Sequence, residues 1–319
     1  MVDRSDGLAS DEACEVGIVR DPVMQPRPID LQRDLPSVVK LLGRTRAGAG
    51  LTHPGGIQWW LRELVRRDRD DFAAYVWPDA AGSLRGFALV DGEFVVVERI
   101  DGGPTTIDQV AWLEARLRAG GRTAIEFHVA DGDPIREELE HRGYVPSGTE
   151  LELLADTSRE PARAPLPNGF RFGSLLDVSD AVYIDGHRAA WSDKRPSPYG
   201  QELHDAVKRM PGFRPDLVTI AIAPDGTVAA CCIGWLDERS ATLEIEPLGT
   251  HRDYRRLGLA HAIVKEVQHR AWANGARHVL VWNDPATNPA AYGLYTGADM
   301  PPNRTLIALR MELQALPKS

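Results

Sequence analysis

The sequence has few cysteines and no pattern that would link them. Among 319 residues there are three, and two of them, Cys231 and Cys232, are adjacent inside an apolar run. There is no C-x-x-C pair, so neither a disulfide framework nor a zinc site is indicated. We expect Cys231 and Cys232 to be buried strand residues, because free cysteine commonly behaves as a small hydrophobe.

Long hydrophobic runs are also absent. No stretch is apolar over the roughly 20 residues that a membrane-spanning helix needs. The first twelve residues lack the basic segment and the apolar segment of a secretory signal. The expectation is therefore a cytoplasmic protein with no membrane partner and with a mobile N-terminal tail over residues 1–20.

Basic residues are fewer than acidic residues. The chain carries 37 Lys and Arg against 46 Asp and Glu, a formal net charge of -9. Binding to a phosphate backbone needs a concentrated basic surface, so nucleic acid is an improbable partner, while a cationic small molecule stays open. A hydrophobic content of 43% with 26% charged residues is typical of globular chains.

Hydrophobic periodicity predicts a mixed α/β domain in the first half. Helices are predicted at 37–42, with Ser37 as N-cap, and at 57–67, with Ile57, Trp60 and Leu61 on the apolar face. Two strands joined at Asp91-Gly92 form a predicted hairpin, and a strand, helix, strand, helix, strand series follows. The predicted strands are 72–77, 86–90, 94–100, 124–129 and 150–154, and the further predicted helices are 108–118 and 134–141.

The order of elements is then predicted to start again. Residues 156–168 contain three prolines and few large apolar residues, which is typical of a linker. Beyond them a hairpin at Asp225-Gly226 precedes the same alternating series, so we predict two domains of one mixed α+β type at residues 21–155 and 169–315. The predicted strands there are 170–174, 217–223, 228–235, 242–248, 278–282 and 305–312, and the helices are 179–191, 201–210, 259–274 and 289–295.

One segment of the second half predicts an anion site. A strand ending at Leu248-Gly249-Thr250 leads into a basic turn with Arg255, Arg256 and Leu257, and then into a helix that starts after Gly258 with Leu259 and Ala260. The positive end of a helix dipole and several backbone N–H groups converge at such a turn, which suits a phosphate or pyrophosphate. The plain alternative is a solvated basic loop.

These residues resemble the signature of the GNAT acetyltransferases, in which Arg or Gln is followed by two residues, Gly, one residue, and Gly or Ala. Arg255, Gly258 and Ala260 meet it. The resemblance implies that the turn binds the pyrophosphate of acetyl-CoA and that residues 248–250 pair with its pantetheine arm. Downstream, Asn288, Ala291, Tyr292 and Tyr295 resemble the N-x-x-A-x-x-x-Y helix of the family. The family's Gly-Phe pair after this tyrosine is replaced here by Asp299-Met300.

Two glutamates and a tyrosine are the candidate catalytic residues. Transfer of an acetyl group to an amine needs a base for the ammonium proton and benefits from an acid for the leaving thiolate. Glu244 and Glu246 lie two apart on the strand before the turn, so they share one face. By position relative to Arg255, Glu244 matches the family's usual base, with Glu246 next; either could instead face solvent or pair with a nearby arginine. The resemblance makes Tyr295 the candidate acid, the alternative being a core tyrosine.

The first half has the same order of elements without the phosphate turn. Between its strand and helix lie residues 101–106, which contain no arginine, an added acid, and Pro104, which removes an amide. We therefore predict a GNAT-like domain that binds CoA poorly or not at all. Glu126, His128, Asp131 and Asp133 are explained by strand alternation and a turn, so no metal is predicted. The tandem arrangement resembles that of the mycothiol synthases.

The leading hypothesis is an acetyl-CoA-dependent N-acetyltransferase. Its second domain would transfer the acetyl group to a primary amine of a small molecule by direct attack, in a monomer or homodimer. We expect the acceptor to enter between the domains beside Trp191, Asp193, Trp235 and the two glutamates. Two alternatives stay open: a CoA-binding regulatory protein without turnover, and an acetyltransferase acting on a protein or peptide.

Overall fold

The computed structural model describes residues 24–47, 50–193 and 195–313. The predicted N-terminal tail and Cys14 lie outside these residues. Among the helices in the described part of the chain, none combines the length and the apolar character needed to cross a membrane.

The chain runs twice through one series of ten elements. In the first half, two helices follow a short strand, and then three antiparallel strands, a helix, a strand, a helix and a long strand complete the series. The elements are β1 (Arg27–Pro28), α1 (Leu31–Ala47), α2 (Pro54–Leu61), β2 (Phe72–Pro78), β3 (Leu84–Asp91), β4 (Phe94–Arg99), α3 (Thr106–Ala119), β5 (Ala124–Ala130), α4 (Ile135–His141) and β6 (Val145–Asp156).

The second half repeats this order, with short 3₁₀ turns between some elements. Both predicted hairpins, at Asp91-Gly92 and Asp225-Gly226, are confirmed by the antiparallel pairing of their strands. The elements are β7 (Arg171–Gly173), α5 (Asp180–Ala190), α6 (Gln201–Lys208), β8 (Val218–Ile222), β9 (Val228–Asp237), β10 (Thr242–Thr250), α7 (Leu259–Ala273), β11 (His278–Asn283), α8 (Pro289–Gly297) and β12 (Pro302–Glu312).

The strands of both halves form one continuous sheet. Its order over the described residues is β1-β2-β3-β4-β5-β12-β6-β11-β10-β9-β8-β7. The last strand of each half is therefore exchanged: β12 lies between β5 and β6, and β6 lies between β12 and β11, all antiparallel. Exchanging each strand of one half for its counterpart in the other gives the same order read from the opposite edge of the sheet. The two halves are therefore related by a pseudo-twofold axis.

Three cores hold the sheet between its helices. One lies under α3 and α4 of the first half, and another under α7 and α8 of the second. The third is shared, because α1 and α2 pack together with α5 and α6 over strands of both halves. It contains Leu42, Trp59, Tyr183, Val207 and Trp235, each at most 5% exposed. The halves thus bury apolar surface against each other, which is the main favourable term in folding.

Two helix starts differ from the predictions. Helix α1 begins at Leu31 rather than after Ser37, because the Asp30 carboxylate caps it by accepting a hydrogen bond from the Arg33 N–H at 3.0 Å. Pro36 lies inside this helix. Helix α2 begins at Pro54, and it buries Trp59, whereas the predicted face placed Trp60 in the core.

The chain between β6 and β7 forms no helix or strand among the described residues. This agrees with a connecting segment at 156–168, although the domain boundaries at 155 and 169 remain a prediction. The exchange of β6 and β12 means that each half completes its part of the sheet with a strand from the other.

Close packing of α2 on β9 gives a test of this arrangement. A Cβ atom added at Gly55 would lie 2.1 Å from Cβ of Trp235. Gly55→Ala must therefore lift α2 from the sheet, and we expect a loss of about 1–3 kcal/mol in the free energy of unfolding, measured by denaturant titration. Gly293→Ala is the matched control, because Gly293 lies in α8 with no atom within 4 Å of the added Cβ. Equal stability of the two variants would contradict the packing.

Candidate active site

The predicted site lies where β10 and β11 separate. The two strands pair in parallel only at Thr242–Glu244 with His278–Leu280. Beyond Glu244, the register of β10 against β9 shifts between Ile245 and Leu248, and pairing with β9 continues through Leu248, Gly249 and Thr250. The β11-facing edge of this segment is therefore left without a strand partner, which suits a peptide-like ligand that pairs with backbone groups.

The turn after β10 holds two residues in the left-handed region. Arg256 has φ 66° and Gly258 has φ 78°. Gly258 is the N-cap of α7, it provides no side-chain cap, and the first turn of the helix contains no acidic residue. Leu257 is exposed, whereas Leu259 is buried. The N–H groups of Leu259 and Ala260 thus lie at the end of α7 that carries partial positive charge. This is the arrangement expected of an anion site.

Arg255 anchors the turn rather than standing free. Its guanidinium donates to Asp193 Oδ2 at 2.7 Å, to the Ala190 carbonyl at 3.0 Å and to the Thr250 carbonyl at 3.2 Å. The ring of Trp191 lies against Gly249, since a Cβ atom there would come within 2.2 Å of it. The segment after α5 therefore forms one wall beside the end of β10.

Helix α8 carries the second predicted motif next to α7. Asn288 caps α8 by accepting a hydrogen bond from the Ala291 N–H at 3.2 Å. His261 of α7 lies 3.1 Å from the Gly297 carbonyl, so the two helices are in contact. Ala291 and Tyr292 are half-buried. Tyr295 is 7% exposed, and burial, with Cys232 and Glu246 as neighbours, raises the pKa of its hydroxyl well above the ordinary value.

Asp299-Met300 takes the place of the glycine and aromatic pair. Asp299 adopts φ 62°, which normally favours glycine, and it is held by Lys265, whose Nζ donates to Asp299 Oδ2 at 2.9 Å. Met300 is fully buried. Gly143, with φ 100°, and the buried Tyr144 occupy the corresponding positions after α4. The departure in sequence therefore leaves the backbone path unchanged.

Glu244 is buried and fastened to the first half of the chain. Its side chain is 6% exposed, and Oε2 accepts a hydrogen bond from the Gly56 N–H at the start of α2. The same oxygen lies 3.2 Å from Nδ1 of His53, the N-cap of α2. A Cβ atom at Gly56 would lie 2.7 Å from Oε2, so only glycine permits this approach.

Glu246 is a carboxylate whose pKa is raised by its surroundings. Loss of hydration inside the cleft, followed by repulsion from Glu244, raises its pKa to about 8, although attraction to Arg62 opposes the shift. Its backbone carbonyl accepts a hydrogen bond from the Trp235 indole N–H at 2.6 Å. A raised pKa suits a general base, which works best when its pKa lies near the working pH.

Both glutamates line one cavity of about 250 Å³ that is built from both halves of the chain. Most of its other walls come from the first half and were not predicted from the sequence. Trp191, Asp193 and Trp235 are not among its lining residues: Trp235 is buried beneath α2, and Asp193 pairs with Arg255. The polar and aromatic residues that line it are Thr52, His53, Trp60, Phe94, Glu98, Thr106, Phe127, His128, Glu150, Glu244, Glu246 and Trp282.

His128 and Glu150 form a pair on the wall of this cavity. Nδ1 of His128 lies 3.0 Å from Glu150 Oε2, and Nε2 lies 3.5 Å from Glu126 Oε1. Despite desolvation, which opposes it, these two carboxylates raise the pKa of His128. Alternation along β5 had explained His128 as a strand residue, and only the topology brings it near Glu246.

The turn of the first half is closed to anions. Thr105 caps α3 by accepting from the Asp108 N–H at 3.0 Å, and the Asp108 carboxylate accepts from the Thr105 N–H at 2.9 Å. Two N-terminal amides are therefore already satisfied, and a negative charge lies in the first turn. The N-terminus of α7 has no side-chain cap, whereas the N-terminus of α3 is capped by Thr105 and the Asp108 carboxylate.

Comparisons with known proteins agree with this geometry. Residues 184–298 match the family model described as the acetyltransferase (GNAT) family. No curated protein sequence matches the chain. Among solved structures, the chain is similar to a GCN5-related N-acetyltransferase from Sphaerobacter thermophilus, with 18% identity and a TM-score of 0.57 over 91% of this chain and 96% of that one.

A second solved structure has the tandem arrangement. It is a tandem GNAT protein from the clavulanic acid biosynthesis pathway, with 13% identity and a TM-score of 0.63 over 92% of this chain and 99% of that one. A GNAT-family acetyltransferase from Colwellia psychrerythraea is 11% identical, with a TM-score of 0.56 over 91% and 100%. The predicted resemblance to the GNAT acetyltransferases and the mixed α/β fold of two GNAT-like halves are therefore confirmed.

Substitution of Gly258 tests the anion site. We expect Gly258→Asp to lower the affinity for CoA at least tenfold in calorimetric titration, because a carboxylate would replace the open approach to the α7 amides. Gly275→Asp is the matched control: Gly275 follows the other end of α7, has φ 83°, and likewise has no atom near an added Cβ. Gly275→Asp introduces similar backbone strain but places its carboxylate away from the proposed anion site. Equal loss of CoA binding in both variants would contradict the assignment.

Proposed function

We propose that the chain is an acetyl-CoA-dependent N-acetyltransferase that acetylates a primary amine of a small molecule, with the chemistry in the second half, residues 169–315. The observation that carries this proposal is the placement of two features on one strand. In β10, Glu244 and Glu246 line a cavity, and the turn after β10 leads into α7, whose N-terminus has no side-chain cap. An acyl donor bound along β10 would thus join an anion site to a pair of carboxylates.

The residues at the end of β10 suit the donor. Amides at the start of α7, with Arg256 in the turn, would hold the pyrophosphate. The β11-facing edge of Leu248, Gly249 and Thr250 would pair with the amides of the pantetheine arm. Asn288, Ala291 and Tyr292 lie on α8, which contacts α7, and would face the same arm.

Glu246 is the proposed base, and Glu244 is proposed to act by positioning. The carboxylate of Glu246 removes a proton from the ammonium group, and the amine nitrogen then attacks the thioester carbonyl carbon. Glu246 passes this first proton to solvent. As the new C–N bond forms and the C–S bond breaks, the nitrogen loses its second proton to the Glu246 carboxylate. Glu244 already accepts from Gly56, and its charge keeps the pKa of Glu246 high enough for this role.

Tyr295 is the proposed proton donor to the departing sulfur. Its pKa is raised by burial, so the hydroxyl is protonated at neutral pH as a donor must be. Glu246 is among its charged neighbours, which agrees with a position close to the acyl transfer. Transfer of its proton gives the free thiol of CoA, and the tyrosinate is reprotonated from solvent.

The size of the cavity, about 250 Å³, supports a small acceptor over a protein. Helix α2 covers Glu244, and the lining comes from residues far apart in the sequence. A regulatory protein that binds CoA without turnover would need the anion site but no cavity beside the carboxylates.

Release of CoA thiol in the presence of acetyl-CoA tests the proposed activity. We expect release that depends on added primary amine, detected with a thiol reagent, and an N-acetyl product confirmed by mass spectrometry. Tertiary amines, which cannot form a stable amide, are the matched control. Tight CoA binding without release for any amine would favour the regulatory alternative, and release only with peptides would favour the protein acetyltransferase.

The pH dependence distinguishes the two glutamates. Because the base must be a carboxylate, kcat/KM for an alkylamine should rise with pH up to about 8 and then level off. Glu246→Gln should remove this rise and lower kcat/KM by about 10²–10⁴-fold. Glu244→Gln should shift the rise to lower pH, since Glu244 repels the charge on Glu246. Loss of the rise in Glu244→Gln with its retention in Glu246→Gln would assign the base to Glu244.

A further inference from the structure

The cavity beside the two glutamates continues into the first half of the chain. One end carries Glu150, Glu244 and Glu246, which we call the carboxylate end. The other end, which we call the apolar slot, is lined by aliphatic side chains from β4, α3, β5 and α4. The slot consists of Val95, Val96, Val97, Val110, Val129 and Leu139.

The slot exists because β4 and β5 separate as β10 and β11 do. The first pair is joined in parallel only at Phe94 with Glu126 and at Val95 with Phe127. Beyond these residues the strands diverge, and α3 packs across the gap. By the pseudo-twofold relation, the slot is the first half's counterpart of the space that the acyl donor would occupy in the second half.

CoA does not suit the slot. The amides at the start of α3 are taken by the Thr105 and Asp108 capping box, and the Asp108 carboxylate would repel a pyrophosphate. The slot is nevertheless kept open inside a well-packed domain, where voids are normally filled. An apolar ligand group therefore fits the slot better than a nucleotide.

The charges along the cavity favour an amine at one end only. No arginine or lysine is among the described residues that line the cavity with Glu244 and Glu246, Arg62 acts on Glu246 from outside this lining, and His128 pairs with Glu150. Glu98 lies beside the slot, where its carboxylate accepts a hydrogen bond from the Thr52 N–H at 3.3 Å and burial raises its pKa. A cation is thus favoured at the carboxylate end and an uncharged group in the slot.

We infer that the acceptor is a primary amine on an unbranched apolar chain, whose ammonium group lies at Glu246 and whose tail fills the apolar slot. This inference rests on the proposed acetyltransferase function and specifies its substrate class. The degenerate half of the chain then serves as the specificity element: it has lost the donor turn and kept the cleft.

A series of n-alkylamines from ethylamine to octylamine tests this inference. Burial of each further methylene should raise kcat/KM about fourfold until the slot is full. An α,ω-diamine of the same length should be a poorer substrate, because its second charge would be buried in the slot. Equal kcat/KM across the alkylamines, or a preference for the diamine, would overturn the apolar slot.

A variant that fills the slot gives the matched test. In Val97→Phe, the ratio of kcat/KM for octylamine to that for ethylamine should fall at least tenfold. Val145→Phe places the same ring on an exposed position of β6 and should keep the wild-type ratio. Val129→Phe fills the slot from the opposite strand and should repeat the effect if the first variant folds poorly.

Binding of alkyltrimethylammonium ions separates this inference from the proposed activity, because these ions cannot be acetylated. Their affinity, measured by calorimetry, should grow with chain length in the wild type and not in Val97→Phe. Chain-length-dependent binding without thiol release from any amine would support the slot and reject the transfer. Acetylation of all amines without chain-length dependence would support the transfer and reject the slot.

Discussion

The exchange of the last strands is the constraint on which the rest of the structure depends. Because β12 pairs with β5 and β6 pairs with β11, neither half can complete its part of the sheet without the other. The sheet therefore continues from one half to the other, and α2 of the first half is held against β9 and β10 of the second. The close contacts of Gly55 with Trp235 and of Gly56 with Glu244 follow from this placement. A flexible pair of independent domains could not maintain contacts this close.

The two halves share one fold but differ in a few residues at one helix start. Gly258 leaves the first turn of α7 open, while Thr105 and Asp108 close the first turn of α3. The free-energy difference in binding a diphosphate at these two turns arises from hydrogen bonds already made and from the sign of one side chain. Both halves keep the diverging strands below the turn, so the loss of the anion site leaves a cleft rather than a filled core.

Local chemistry explains how much the sequence could predict. The hairpins at Asp91-Gly92 and Asp225-Gly226 and the turn at Gly258 depend on residues close in sequence, and each was predicted. The start of α1 was wrong because Asp30 and Ser37 are both good N-caps, and tertiary packing decides between them. Which of Trp59 and Trp60 is buried depends on where α2 docks. The exchanged strands could not be predicted, since β6 and β12 are compatible with either set of neighbours. His53, His128 and Glu150 were missed in the site for this reason.

The unusual titration of Glu246 can be traced to the same assembly. A carboxylate on the protein surface would keep an ordinary pKa. Here, burial in the cleft and the nearby charge of Glu244 raise the pKa of Glu246. Arg62, from the turn after α2, acts in the opposite direction, and burial lowers its own pKa to about 10. The groups that raise and lower the pKa of Glu246 therefore come from both halves of the chain. Packing of the degenerate half, rather than any residue of the second half alone, sets the proton affinity at the proposed reaction centre.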